Sequence, residues 1–150
     1  LEESGISVLG HGIDGTPRQL VERFKHAQRA VLIGTSSLWE GIDVVGDALS
    51  VLVIGRLPFS VPSDPIFAAR SEVFDDAFNE YAVPQSVIRF KQGFGRLIRS
   101  KTDRGVVVVM DKRVTSKGYG KLFLESLPEC TTHKGPLLNL PATARSWVER

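Results

Sequence analysis

A chain of 150 residues, 42% of them hydrophobic, is the length of one ordinary domain with a real core. Its single cysteine, Cys130, excludes an internal disulfide and any zinc or iron–sulfur site built from cysteines of this chain. No apolar run approaches the roughly 20 residues that span a membrane as a helix. The formal net charge is only +2, but residues 86–121 carry ten Lys/Arg against two Asp/Glu, a local +8 that leaves −6 elsewhere. Such a segment suits either a local anionic ligand or a solvated basic face.

Taken in chain order, Ile6–Leu9 is a short apolar run ending in glycines and predicts a strand. Thr16-Pro17 then opens a helix. Thr is a good N-cap, and Pro at the first helical position gives up an N–H that has no partner there anyway. Leu20, Val21 and Phe24 supply that helix's apolar face. Ala30–Ile33 and Leu49–Ile54 are continuous apolar runs, as expected of strands covered by helices on both faces of a parallel sheet. Residues 61–65 are proline-rich and predict a loop. Ile66–Tyr81 has a helical pattern, which Val83-Pro84 should break. The next helix, with Pro84 in its first turn, is expected to reach about Ser100. Gly105–Met110 is a third strong strand and Tyr119–Leu127 a last helix. The segment 129–150, with further prolines and little periodicity, is expected to be an irregular tail. Alternating strands and helices argue a single α/β domain over 1–150 with a mostly parallel sheet. The lone thiol and the absence of a signal-peptide pattern suit a cytoplasmic setting. A start at Leu1 rather than Met suits a piece of a longer protein.

Several motifs are incomplete. Gly10-His-Gly12-Ile-Asp-Gly15 has the spacing of a dinucleotide fingerprint, but the helix cap follows the last glycine, whereas the fingerprint starts its helix within the glycines. Gly120-Lys121 resembles the end of a phosphate-binding loop, but Thr115 and Leu122 stand where glycine and Ser/Thr are required. Val106–Asp111 has the shape of a magnesium-binding strand without the glutamate that should follow it. His11, His26 and His133 are scattered without metal-ligand spacing. No metal site is expected.

One helix is more informative. On a wheel of about 100° per residue, Gln92, Gly95, Arg96 and Arg99 share one stripe. Val87, Phe90, Phe94, Leu97 and Ile98 lie on the opposite side. Two glycines, Gly93 and Gly95, cost a helix about 1 kcal/mol each. Gly95 leaves room for something to approach the backbone. Two arginines one turn apart beside a glutamine suit multidentate recognition of phosphate. Farther upstream, Thr35, Ser36 and Ser37 follow a strand at the edge where parallel sheets usually bind ligands, and they offer hydrogen bonds to a phosphate backbone. Asp43 can accept from a ribose hydroxyl or pair with an arginine.

The stretch "GTSSLWEGIDVVG" resembles motif V of superfamily 2 helicases, and "QGFGRLIR" resembles motif VI. Trp39 before Glu40-Gly41-Ile42-Asp43, the following "RLPFSVPSDP" and the "DKR…YGKLFLESLP" ending are similar to the DinG/XPD branch. The resemblance covers roughly Gly10 to Pro128. It implies the second of two RecA-like domains (P-loop NTPase type, helices on both faces of the sheet) in an ATP-dependent DNA helicase with a role in repair or replication. ATP and Mg²⁺ would be held mainly by a first domain carrying the phosphate-binding lysine and the acid pair. Any iron–sulfur cysteines would also belong there.

By the same resemblance, Arg96 and Arg99 are arginine fingers and Gln92 positions phosphate or water. Gly41, Asp43 and Gly95 lie at the nucleotide. Thr35, Ser36 and Ser37 touch single-stranded DNA, and Trp39 and Glu40 couple the two sites. The family's second domain opens with a further strand and helix. Leu1–Ser4 is at most the end of that helix, so the sheet is expected to lack its first strand. The alternative is a nucleic-acid-binding or scaffolding module that keeps the fold without turnover.

Overall fold

The computed structural model describes residues 2–35, 38, 49–98 and 103–148. They divide into two units, Leu1–Leu49 and Ser50–Arg150. Each unit is built on a two-stranded parallel sheet.

In the first unit, β1 (Ser7–Gly10) pairs with β2 (Ala30–Ile33), with Ser7 opposite Ala30 and Gly10 opposite Ile33. The crossover between them is α1 (Pro17–His26). The glycine turn ahead of α1 closes on itself. The Gly10 N–H donates to Asp14 Oδ2 at 2.7 Å, and the N–H groups of Ile13 and Asp14 donate to the Gly10 carbonyl. Gly12 and Gly15 have φ of +83° and +139°, where a side chain would be strained. The helix starts after this turn. Thr16 accepts from the Gln19 N–H, and the Gln19 side chain accepts from the Thr16 N–H. That reciprocal cap occupies the helix N-terminus, which a dinucleotide fingerprint would leave for a pyrophosphate. Leu20, Val21 and Phe24 are buried as their spacing predicts, and they pack with Leu9 and Leu38.

In the second unit, β3 (Val51–Ile54) pairs with β4 (Val106–Val109), with Val51 opposite Val106 and Ile54 opposite Val109. The single sheet expected from the sequence is therefore present as two separate pairs among the described residues. Burial differs from expectation as well. Val31, Ile33, Val51 and Val53 are exposed while their neighbours along the strand are more buried. Along β2 exposed and half-buried residues alternate with the pleat, and along β3 exposed residues alternate with more buried ones.

The long helix expected over 66–81 is two elements. Asp64 caps α2 (Pro65–Ser71) by accepting from the Phe67 N–H at 2.8 Å. The helix stops where Ser71 Oγ donates back to the Ala68 carbonyl. Asp76 restarts helical structure by accepting from the Asn79 backbone and side-chain N–H groups. Polar side chains that bond nearby backbone compete with the helix at both places. Val83-Pro84, expected to be a break, is instead a junction. A π turn (Phe78–Ala82) runs directly into α3 (Val83–Leu97). Here the Val83 N–H donates to the Phe78 carbonyl, five residues back. The wider turn makes room where the proline ring would meet the carbonyl four residues before it.

Beyond β4 come α4 (Arg113–Ser116) and α5 (Gly120–Glu125). The segment expected to be an irregular tail carries a 3-10 turn (Leu137–Asn139) and then α6 (Leu140–Val148). Its prolines, read as breakers, stand where they do little harm: Pro136 caps the 3-10 turn and Pro141 lies in the first turn of α6. A cleft of about 1620 Å³ lies between β4 and the segment 128–147, lined in part by Phe94, Val108, Met110, Leu127 and Trp147. No described helix is long and apolar enough to cross a membrane.

Candidate functional site

The helix α3 accepts two glycines because its other face holds it down. Val83, Phe90, Phe94 and Leu97 are buried, Phe90 completely. At roughly 1.5–3 kcal/mol for each large side chain, Phe90, Phe94 and Leu97 outweigh about 2 kcal/mol lost to Gly93 and Gly95. Val87 and Ile98, assigned to the core face from the sequence, are only half-buried. Ser86 and Gly93 are buried with it.

On the opposite stripe the structure brings together Gln92, Gly95 and Arg96. Gln92 and Gly95 are exposed and Arg96 is half-buried. A Cβ built on Gly95 would meet nothing within 4 Å. The glycine there is not required by packing within the described residues. The Arg96 Nε is sealed from solvent and has no hydrogen-bond partner among the described residues. A buried donor left without an acceptor is rare in proteins and costs about 1–3 kcal/mol. The helix ends immediately afterwards, with Ile98 extended and its N–H donating to the Phe94 carbonyl. Arg99 lies outside the described residues, so the second guanidinium of the stripe has no described position.

The other predicted cluster is only partly described. Thr35 is exposed just after the carboxyl end of β2, and its carbonyl accepts from the Leu38 N–H at 3.0 Å. Leu38 is buried in the first unit's core and anchors the turn. Gly34 is needed beneath it, because a Cβ there would come within 2.6 Å of the Leu38 side chain. Ser36, Ser37, Trp39, Glu40, Gly41 and Asp43 lie outside the described residues.

The sequence reading missed a third cluster, at the carboxyl ends of β3 and β4. Asp111, 9% exposed, accepts from the Leu57 N–H at 2.9 Å and from the Arg113 N–H at 3.0 Å. The Arg113 guanidinium adds bonds from Nε to both oxygens at 3.0 Å and from Nη2 to Oδ2 at 2.6 Å. These Arg113 bonds first, then the backbone N–H groups, hold the Asp111 carboxyl far below the usual carboxylate range, against the opposing effect of burial. Asp111 in turn raises the Arg113 pKa. The Arg113 guanidinium also lies 5.3 Å from the centre of the Phe59 ring. Phe59 stacks on Phe78 and meets the edges of Tyr119 and Phe123 at centroid distances of 5.7–6.0 Å. Farther along the same loop, Arg89 of α3 donates to Ser60 Oγ. The available signal was an aspartate at a strand end followed two residues later by arginine. Nothing in that spacing says which backbone N–H will share the carboxylate.

Residues 1–130 match the family described as "Helicase C-terminal domain". The chain belongs to that family. This helicase C-terminal domain is 47% identical over 131 residues to the ATP-dependent DNA helicase YoaA of Haemophilus influenzae, covering 85% of the chain and 20% of that relative. It is 41% identical over 133 residues to the protein named 3'-5' exonuclease DinG of Bacillus subtilis, covering 85% of the chain and 14% of the relative. To Escherichia coli YoaA it is 49% identical over 114 residues, 73% of the chain and 18% of the relative. The chain thus spans a fifth or less of the length of these three relatives.

Proposed function

We propose that this chain is the RecA-like second half of a DinG-type ATP-dependent DNA helicase motor, working in DNA repair or replication in the cytoplasm. It would supply motifs V and VI to an ATP site shared with an N-terminal RecA-like domain of the same protein. The observation that carries the reading is the stripe on α3. In a chain of the helicase C-terminal family, an arginine whose sealed Nε has no partner among the described residues stands beside a glycine with open space and an exposed glutamine. The parallel strand pairs and the β–α–β crossover support the RecA-like assignment.

The donor set fits a phosphate. A guanidinium offers a planar fork, the amide a further donor, and Gly95 removes the side chain that would keep a ligand or facing domain away. Arg96 and Arg99 would stabilise charge that develops on the transferring phosphoryl group, and Gln92 would orient phosphate or water. Gly41 and Asp43 would hold the nucleotide with Gly95. Thr35, Ser36 and Ser37 would bind the backbone of single-stranded DNA, and Trp39 and Glu40 would couple that contact to the nucleotide. Mg²⁺ and most of the phosphate contacts would come from the first domain. Mg²⁺ there would neutralise the β- and γ-oxygens.

Steady-state ATPase of the whole protein with excess single-stranded DNA tests these roles. Arg96→Ala or Arg99→Ala should lower kcat by roughly 10³-fold or more with little change in KM, as for an interaction made mainly in the transition state. Asp43→Ala should act more on KM. If both arginine variants keep kcat within about threefold while KM rises, the finger assignment is wrong. A wild-type protein without DNA-stimulated ATPase would favour the non-catalytic, nucleic-acid-binding module.

A further inference from the structure

We propose that Arg56 and Lys112, at the carboxyl edge of β3 and β4, each contact a backbone phosphate of single-stranded DNA. These residues are other than Thr35, Ser36 and Ser37. The inference rests on the preceding reading that the parent protein engages single-stranded DNA.

The two residues follow paired strand ends. Ile54 and Val109 are in register, and the Met110 N–H donates to the Ile54 carbonyl at 2.9 Å. The Leu57 N–H then donates to Asp111, so the residues next to them in the chain, Arg56 and Lys112, lie on neighbouring backbone. Both side chains are exposed, and neither makes an ion pair or hydrogen bond with a described residue. The acid between them cannot neutralise them. Asp111 is already occupied by the Arg113 guanidinium and two backbone N–H groups.

The platform is also rigid. Asp111 ties down Leu57, the Phe59 ring is packed among Phe78, Tyr119 and Phe123, and Arg89 holds Ser60. Cations on pre-ordered backbone lose less freedom when they bind than cations on a free loop. A Cβ built on Gly55, next to Arg56, meets nothing within 4 Å, so a ligand chain can run close to the backbone there. An open edge with two spaced cations suits a polymer backbone that passes across it. A nucleotide triphosphate calls instead for a dense cradle of N–H groups.

The test is the salt dependence of binding. Affinity of the whole protein for a labelled oligothymidylate is measured between 50 and 300 mM salt, for wild type, Arg56→Gln, Lys112→Gln, the double variant and Arg56→Lys. Each phosphate contact on a single strand contributes about 0.7 to the slope of log affinity against log salt. The slope should fall in magnitude by about 0.7 in each single variant and about 1.4 in the double variant. Arg56→Lys should keep the wild-type slope. Affinity for a fluorescent ATP analogue should stay within twofold throughout.

An unchanged slope in the double variant overturns the site while leaving the helicase reading standing. Loss of analogue affinity with an unchanged slope assigns these cations to nucleotide and also overturns the proposal. Wild-type protein with no salt-dependent binding overturns both readings.

Discussion

Arg96 and Arg113 belong to the same unit and meet opposite fates. Arg113 is fully engaged. Its guanidinium makes three bonds to Asp111 and lies over Phe59. Arg96 is half-buried on a helix face, with its Nε enclosed and unpartnered among the described residues. Two arginines of identical chemistry therefore stand in different surroundings. Arg113 closes a structural circuit from β4 to the loop after β3. Arg96 retains a hydrogen-bonding capacity that the described residues leave unused, which is the condition expected of a group completed by a ligand or by another domain.

The contrast is sharpened most by removing each arginine in the whole protein. Arg96→Ala should lower kcat by roughly 10³-fold while leaving the urea midpoint of this domain nearly unchanged. Arg113→Ala should do the reverse, destabilising the domain by about 2 kcal/mol because Asp111 stays buried without its main partner. Equal stability losses in the two variants would erase the distinction.

Replacing Asp111 tests the same circuit through pH. Its carboxyl titrates lower in the folded chain than in the unfolded one. The ionised group therefore stabilises the fold fully above about pH 4, the ordinary carboxylate value, and that stabilisation is lost as pH falls through the lower folded value. The stability gap between wild type and Asp111→Asn, about 1–3 kcal/mol, should be flat from pH 8 to 5 and narrow below pH 4. A gap that opens instead of closing in acid would show that the pair is not the origin.

Two glycines extend the comparison at smaller amplitude. Gly95→Ala should raise stability by up to about 1 kcal/mol, since helix propensity improves and the added methyl meets nothing. DNA-stimulated ATPase should nevertheless fall, because the methyl keeps the phosphate or the facing domain away. A Cβ on Gly120 would collide with the carbonyls of Arg113 and Val114, so Gly120→Ala should destabilise. Increased activity together with increased stability in Gly95→Ala would show that the open space serves nothing.

The smallest effect belongs to Ser86, 1% exposed with an unpartnered hydroxyl. Ser86→Ala removes a polar group that gains nothing from burial. It should be neutral or stabilising by up to about 1 kcal/mol, read from the urea midpoint. Ser86 has the same deficit as Arg96 but belongs to the buried face, so loss of ATPase in Ser86→Ala would break the link between unpartnered donors and the exposed stripe.

Local chemistry was legible in the linear order of residues. Thr16-Pro17 capped a helix, the run Ala30–Ile33 formed a strand at those bounds, and Phe90, Phe94 and Leu97 faced inward with Gln92 and Gly95 facing out. These features depend on neighbours within a turn or a pleat, and there the side-chain period governs. The stretches that resemble motifs V and VI were recognisable as well, because each is continuous in the chain.

Only the tertiary structure decided the rest. The π turn absorbs Pro84, so an expected break became a junction. Ser71 and Asp76 divided an apolar periodicity that looked continuous, and residues 140–148 coiled despite Pro141. The strands paired two by two, which left Ile33 and Val53 exposed on runs that looked buried on both faces. The Asp111 carboxylate found the Leu57 N–H, 54 residues away in sequence, and with Arg113 it braces the strand ends. Partners that far apart are set by how the chain closes on itself, and no spacing in the sequence encodes which donor a buried carboxylate will reach.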